Sequence, residues 1–175
     1  MDEHEMKVLM SSKSNEWETP DSLFSNLNAR YGFTLDPAAT EENAKCKKYF
    51  TSETNGLTKS WKNEVVFLNP PYGREVGTWV KKAYDESRKD TKSKVVLIPA
   101  RTDTKYFSKY CSLASNIFFI QGRLKFNNRT LPSYKEDGSH KLFPATFPSV
   151  IVVFNSLREG TRNVQWCNRD FTEFW

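Results

Sequence analysis

The sequence predicts an α/β domain with a largely parallel sheet, and three observations point to it. Short apolar, β-branched runs at 33–36, 64–68, 94–100, 116–122 and 149–154 alternate with segments of helical periodicity. The runs EVVFL, KVVLIPA and SVIVVF are apolar without alternation, as strands covered on both faces are. Three of the runs stop at polar or turn residues: Asp36-Pro37, Asn69-Pro70-Pro71-Tyr72 and Pro99-Ala100-Arg101. Open α/β sheets bind ligands beyond such carboxyl ends.

In chain order, residues 1–14 read as a flexible tail and 15–175 as a single domain, a length that buries one real core. Pro20-Asp21 followed by LFSNLNARYG predicts a helix over Asp21–Arg30, with Leu23, Phe24 and Leu27 on one face and Gly32 as its stop. FTLD is a short strand. ATEENAKCKKYF, with a cap-like Thr40 and acids in its first turn, predicts a short helix. NGL at 55–57 marks a turn. Val76, Trp79, Val80 and Ala83 have helical spacing and predict a helix to about Lys89. TDTKYFSKYCSLA is helical in pattern, and the stretch from Lys125 to Pro148 is polar and loop-like, a length that in a compact domain is usually functional. The C-terminal aromatics are expected to pack back on the body.

The composition, 38% hydrophobic and 27% charged, is that of an ordinary globular protein. No run is long and apolar enough for a membrane span, and the N-terminus lacks the basic start and apolar run of a signal peptide, so a cytoplasmic protein is expected. Cys46, Cys111 and Cys167 are far apart and show neither disulfide nor metal spacing, which predicts free thiols and no metal site. The net charge of +5 permits a polyanionic partner without demanding one. Between Arg101 and Lys141, however, basic residues outnumber acids and are interleaved with Tyr106, Tyr110, Phe118, Phe119, Phe126 and Tyr134. Cations for phosphates beside rings for bases suit a nucleic-acid surface, and equally a solvated face over core aromatics.

Asn69-Pro70-Pro71-Tyr72 carries the most chemistry. Two prolines fix their φ angles, hold the preceding residues extended and supply no N–H. The Asn69 amide oxygen and the Pro70 carbonyl can then form a rigid edge of acceptors, for which an amino group with two N–H donors is the natural guest. Tyr72 can offer a ring face to the base that bears the amine. Positioning of this kind contributes roughly 7–11 kcal/mol to a barrier in favourable cases. A plain strand-exit turn would use the same residues.

NPPY at the end of an apolar strand resembles the catalytic motif of S-adenosyl-L-methionine-dependent amino-methyltransferases. Over roughly 17–154 the chain resembles the phage-type DNA adenine-N6 methyltransferase (Dam-like) family, through WETP (17–20), FTLDPAA (33–39), ENAKC (42–46), NGLTKSW (55–61), FLNPPYG (67–73), LIPARTDTKYF (97–107), GRLKF (122–126) and FPSVIVVF (147–154). The order and spacing of these stretches are far more specific than any one of them.

The resemblance implies a compact Rossmann-like methyltransferase sheet, shortened in its first half because little chain separates Asp36 from Asn69. It implies S-adenosyl-L-methionine as cofactor, with Thr19 and Pro20 over its methionine end and Asp36, Pro37 and Ala38 as the main binding turn. A carboxylate there complements an ammonium and a sulfonium, although Asp36 could also simply cap a turn. The usual glycine-rich turn is replaced by Ala38-Ala39-Thr40. That leaves the ribose-binding acid open among Glu53, Glu41 and Glu42, with Asn55 reaching the adenine or only making a turn.

Asn69, Pro70, Pro71 and Tyr72 would be catalytic on an adenine flipped out of double-stranded DNA. Arg101, Arg123 and Lys125 would contact phosphates, unless Arg101 pairs with Asp103. Asn127, Asn128, Arg129 and Lys135, in a recognition loop over about 125–148, would read bases. So small a loop implies a short target or the help of a second subunit in a homodimer. Other acceptors fit the same motif: cytosine N4, RNA adenine or a protein glutamine. The missing glycine-rich turn also admits a catalytically dead nucleic-acid-binding protein.

Overall fold

The computed structural model describes residues 17–126, 143–158 and 163–175. In chain order these form helix α1 (Asp21–Tyr31), strands β1 (Leu35–Asp36), β2 (Lys48–Tyr49) and β3 (Val66–Leu68), helix α2 (Val76–Ser87), strand β4 (Lys94–Pro99), helix α3 (Lys105–Lys109), and strands β5 (Asn116–Ile120), β6 (Lys125–Phe126), β7 (Phe143–Pro144), β8 (Ser149–Phe154) and β9 (Asn163–Cys167). Seven strands make one sheet in the order β2-β1-β3-β4-β8-β5-β9, and β6 and β7 form a separate hairpin. All strands of the large sheet run one way except β8, which is antiparallel to β4 and β5. The carboxyl ends of β1, β3, β4, β5 and β9 therefore share one edge, as expected for a Rossmann-like methyltransferase sheet with a shortened first half.

Burial explains the strand sequences. Every residue of β3, β4 and β8 is buried, so these strands read as unbroken apolar runs. β5 alternates between buried and half-buried, because layers on its two faces cover it unequally. The core runs from Leu23 and Leu27 of α1, through Val66–Leu68, to Val76, Val80 and Ala83 of α2. α1 ends where Gly32 adopts φ +67°, its N–H bonding to Asn28 O at 2.8 Å. The C-terminal aromatics do pack back: Phe171 is buried, with its ring centroid 5.0 Å from that of Phe118.

Two expectations are corrected. ATEENAKCKKYF is not a helix. Thr40 and Asn43 exchange side-chain to backbone bonds (Thr40 N to Asn43 Oδ1 at 2.7 Å, Asn43 N to Thr40 Oγ1 at 3.3 Å), and Ala44 N closes one turn on Thr40 O. The next amide, that of Lys45, donates instead to Asp36 Oδ2 at 3.1 Å, so the turn cannot propagate and the chain continues into β2. The C-terminal segment also contains a strand that was not foreseen. β9 pairs with β5 over its whole length, yet its exposed Val164 and Trp166 and its polar Asn163 and Gln165 hide the apolar pattern of a strand.

Most of the expected recognition loop, including Asn127, Asn128, Arg129 and Lys135, and the N-terminal tail lie outside the described residues. Among the described residues, no helix is long and apolar enough to cross a membrane. Cys46, Cys111 and Cys167 are free thiols; burial, chiefly, pushes each up to about 12, which leaves them protonated and unreactive at neutral pH.

Candidate active site

A cleft of about 350 Å³ opens at the carboxyl edge of the sheet, within the size range of small-molecule sites. Its walls bring together Thr19, the turn Asp36–Ala38, Asn55 and the stretch Asn69–Pro71. Pro20 and Glu53 are not part of the walls. Pro20 instead caps α1, its carbonyl accepting from Phe24 N at 3.0 Å, and Glu53 is exposed on the neighbouring turn. The acids on the cleft wall are Glu18, Asp36 and Glu75, so neither Glu41 nor Glu42 lines it.

Asp36 ends β1 and is buried, the residue only 5% exposed. Its oxygens accept from the backbone N–H of Lys45 at 3.1 Å and of Ala38 at 3.4 Å. Burial outweighs these bonds and the Lys45 charge, pushing the carboxyl up to about 6. The opposite lip of this turn is fixed sterically. A Cβ on Gly56 would lie 2.1 Å from Pro37 O, so only glycine lets the two turns close together. Gly56 O in turn accepts the indole N–H of Trp61 at 2.9 Å, and Trp61 N donates to the buried Glu86 of α2 at 2.9 Å. Asn55 sits at φ +49°, its side chain capping Leu57 N at 3.2 Å.

Asn69 follows β3, and its amide has one possible orientation. Nδ2 donates to Trp17 O at 2.5 Å and Thr19 Oγ1 at 3.0 Å; a backbone carbonyl can only accept, so the NH₂ group must face it. The amide oxygen is left buried with no hydrogen-bond partner. An orphaned buried acceptor costs about 1–3 kcal/mol, which an incoming N–H recovers.

Tyr72 is buried beside this point, away from the cleft wall, and burial pushes its phenol up. Its ring meets Phe147 edge-on at 5.3 Å and Phe126 at 6.2 Å, while Trp17 meets Phe126 and Phe147 at 5.5 and 5.7 Å. This four-ring cluster was not anticipated. Its members lie far apart in sequence, one in each of the stretches WETP, FLNPPYG, GRLKF and FPSVIVVF. Arg101, Arg123 and Lys125 are exposed, and Arg101 makes no ion pair with Asp103. Ala100 N donates to Pro148 O at 2.8 Å, tying the chain before Arg101 to the entry of β8.

A protein-family model described as DNA N-6-adenine-methyltransferase (Dam) matches residues 7–173. The chain belongs to this family. It is 39% identical to a DNA N-6-adenine-methyltransferase of Escherichia phage T1 over 161 residues, which is 82% of this chain and 64% of that protein. It is 33% identical to a DNA N-6-adenine-methyltransferase of Haemophilus phage HP1 (strain HP1c1) over 132 residues, 69% of this chain and 76% of the other. The match thus spans just under two thirds of the phage T1 protein's length. Membership in the Dam family implies a methyl donor, and the residues that line the cleft suit one. A buried carboxylate faces the site, a glycine-locked turn shapes it, and an unpartnered acceptor ends the neighbouring strand.

Proposed function

We propose that the chain transfers the methyl group of S-adenosyl-L-methionine to the N6 amine of an adenine flipped out of double-stranded DNA. The observation that carries this reading is the Asn69 amide, with both donors spent on Trp17 and Thr19 and its oxygen left without a partner. The donor supplies an electrophilic methyl carbon on a sulfonium, and the new nitrogen–carbon bond forms as the carbon–sulfur bond breaks.

The residues position and polarise. Asn69 Oδ1 and the Pro70 carbonyl accept the two N–H groups of the amine and turn its lone pair toward the methyl. No base is required beforehand, because the extra proton leaves to water once the nitrogen is positive. Asp36 offers its carboxylate to the positive charges of the donor, Thr19 fixes both the Asn69 amide and the chain above the donor, and Asn55 and Leu57 border its adenine. Tyr72 is the proposed stacking partner of the flipped base, although in the ligand-free fold its ring is buried among Trp17, Phe126 and Phe147 and lies off the cleft wall. Arg101, Arg123 and Lys125 hold the phosphates.

The phage origin of the related proteins supports action in the cytoplasm of a bacterial host. A homodimer would bring a second recognition loop to the same duplex. Asn69→Ala, which removes the acceptor but leaves the donor site, is expected to lower methylation of adenine-containing duplex DNA by at least about 100-fold. Near wild-type methylation by this variant would refute the assignment. Mass spectrometry of nucleosides from the methylated product separates N6-methyladenine from N4-methylcytosine.

A further inference from the structure

The cleft has a second buried atom without a partner. Trp79 of α2 lines the cleft and is 7% exposed, and its indole Nε1–H makes no hydrogen bond. Among the described residues three buried side-chain polar atoms are orphaned, and two of them, the acceptor Asn69 Oδ1 and the donor Trp79 Nε1, belong to residues that line this cleft. An indole nitrogen can only donate, and an unpaired buried donor is a net cost.

Packing does not account for this N–H. Trp79 lies parallel to Trp61, with centroids 6.3 Å apart and planes inclined by 19°, so its N–H lies in the stacking plane and does not point at the neighbouring ring. The two stacked indoles differ in one respect. Trp61, fully buried, spends its N–H on Gly56 O, whereas Trp79, at the cleft, spends its own on nothing. Trp61 also links Trp79 to the turn on the cleft wall that holds Asn55, Gly56 and Leu57, stacking on the one and bonding to Gly56 of the other.

We infer that Trp79 Nε1–H is a binding group for the adenosyl half of the methyl donor, donating to a ring nitrogen or ribose oxygen. The inference rests on the reading of this cleft as the donor site. Helix α2 thus serves both halves of the reaction. It follows directly from the stretch that holds the target amine, and from its cleft-facing side it grips the donor.

The test is Trp79→Phe, which keeps a ring and removes the donor, with binding measured by calorimetry without DNA. The ligands are S-adenosyl-L-methionine, S-adenosyl-L-homocysteine and 5′-methylthioadenosine, the last lacking the amino-acid half. Affinity for all three is expected to fall by one common factor of about 3–10. The ligand-free melting temperature is read alongside, since loss of indole volume lowers it and loss of an orphaned donor offsets part of that fall. Unchanged affinity, or a loss confined to the two ligands with an amino-acid half, overturns the inference while leaving the donor site in place. Failure of the wild-type protein to bind any of the three overturns the donor-site reading itself and this inference with it. Should the variant not fold, the indole ¹⁵N–¹H resonances of the wild-type protein decide. The Trp79 signal is expected to move downfield and its exchange to slow with S-adenosyl-L-homocysteine, and an unmoved signal refutes the contact.

Discussion

On the β1 side of the cleft the backbone is held by discrete polar and steric locks; on the β4 side it is held by apolar packing. β1 and β2 are two residues long, too short for a ladder to fix their ends. Their carboxyl edge is set instead by Asp36 on the amides of Lys45 and Ala38, by Gly56 against Pro37, and by Trp61 on Gly56. β4 and β8 pair over six residues each and are buried throughout, and β8 begins two residues after Phe147, which packs with the rings of Tyr72, Phe126 and Trp17. A wall of locks fails when one atom changes. A wall of rings fails when volume is lost. The proposed donor side and the proposed base side of the site should therefore respond to different substitutions.

The largest effect is expected at the rings. Tyr72→Ala leaves a cavity in a buried cluster and should cost about 3–5 kcal/mol of stability, read as a lowered urea midpoint. Tyr72→Phe should cost less than about 1 kcal/mol, because the hydroxyl lies at the 3.5 Å limit from Leu97 O. Equal losses from the two variants would mean that the hydroxyl, not the ring, holds this wall.

Gly56→Ala comes next. Its methyl would overlap Pro37 O, and overpacking of this kind costs about 1–3 kcal/mol. The strain falls on Pro37 in the proposed donor turn, so S-adenosyl-L-methionine affinity should drop by about 10-fold or more while the near-ultraviolet circular dichroism of the ring cluster is retained. Retained donor affinity would show that the two turns are not coupled.

Asp36 sharpens the contrast through pH. Because its folded value of about 6 lies above the ordinary 3.8, ionisation of Asp36 weakens the ligand-free fold above about pH 6, and that loss is recovered as pH falls toward 3.8. Donor binding has the opposite sign, since a cationic ligand needs the carboxylate. Affinity should fall as pH drops through about 6, by up to about 10-fold per pH unit, and Asp36→Asn should be weak but flat over the same range. A pH-dependent Asp36→Asn would assign the titration to another group.

The two walls also differed in how far the sequence revealed them. β3, β4 and β8 are legible because burial on both faces makes them continuous apolar runs, and Asp36 and Asn69 stand out as the polar residues that end such runs. The helical reading of 39–50 failed because Asp36 captures the Lys45 amide, a contact that periodicity within the segment does not show. Trp79 was legible only as a core residue at helical spacing; whether its N–H finds a partner depends on the folded surroundings, which spacing does not show. The ring cluster joins residues from four separate stretches, which no local pattern connects.

The smallest effects belong to the rim outside both walls. Arg101, Arg123 and Lys125 are exposed at the carboxyl edge, and if they form the proposed duplex track, each single charge would contribute mainly by releasing counterions. Each alanine substitution should reduce the slope of log affinity against log salt by about 0.9 and leave donor affinity unchanged. Arg30 supplies the control. It lies near the opposite edge of the sheet, beside Ser93 and Asn155, with its guanidinium over the rings of Phe118, Phe171 and Phe174. Arg30→Ala removes the same charge from the same chain, so a net-charge effect would lower its slope as well. A DNA track confined to the carboxyl edge requires that it does not, and equal slopes for Arg30→Ala and Arg123→Ala would place the duplex elsewhere.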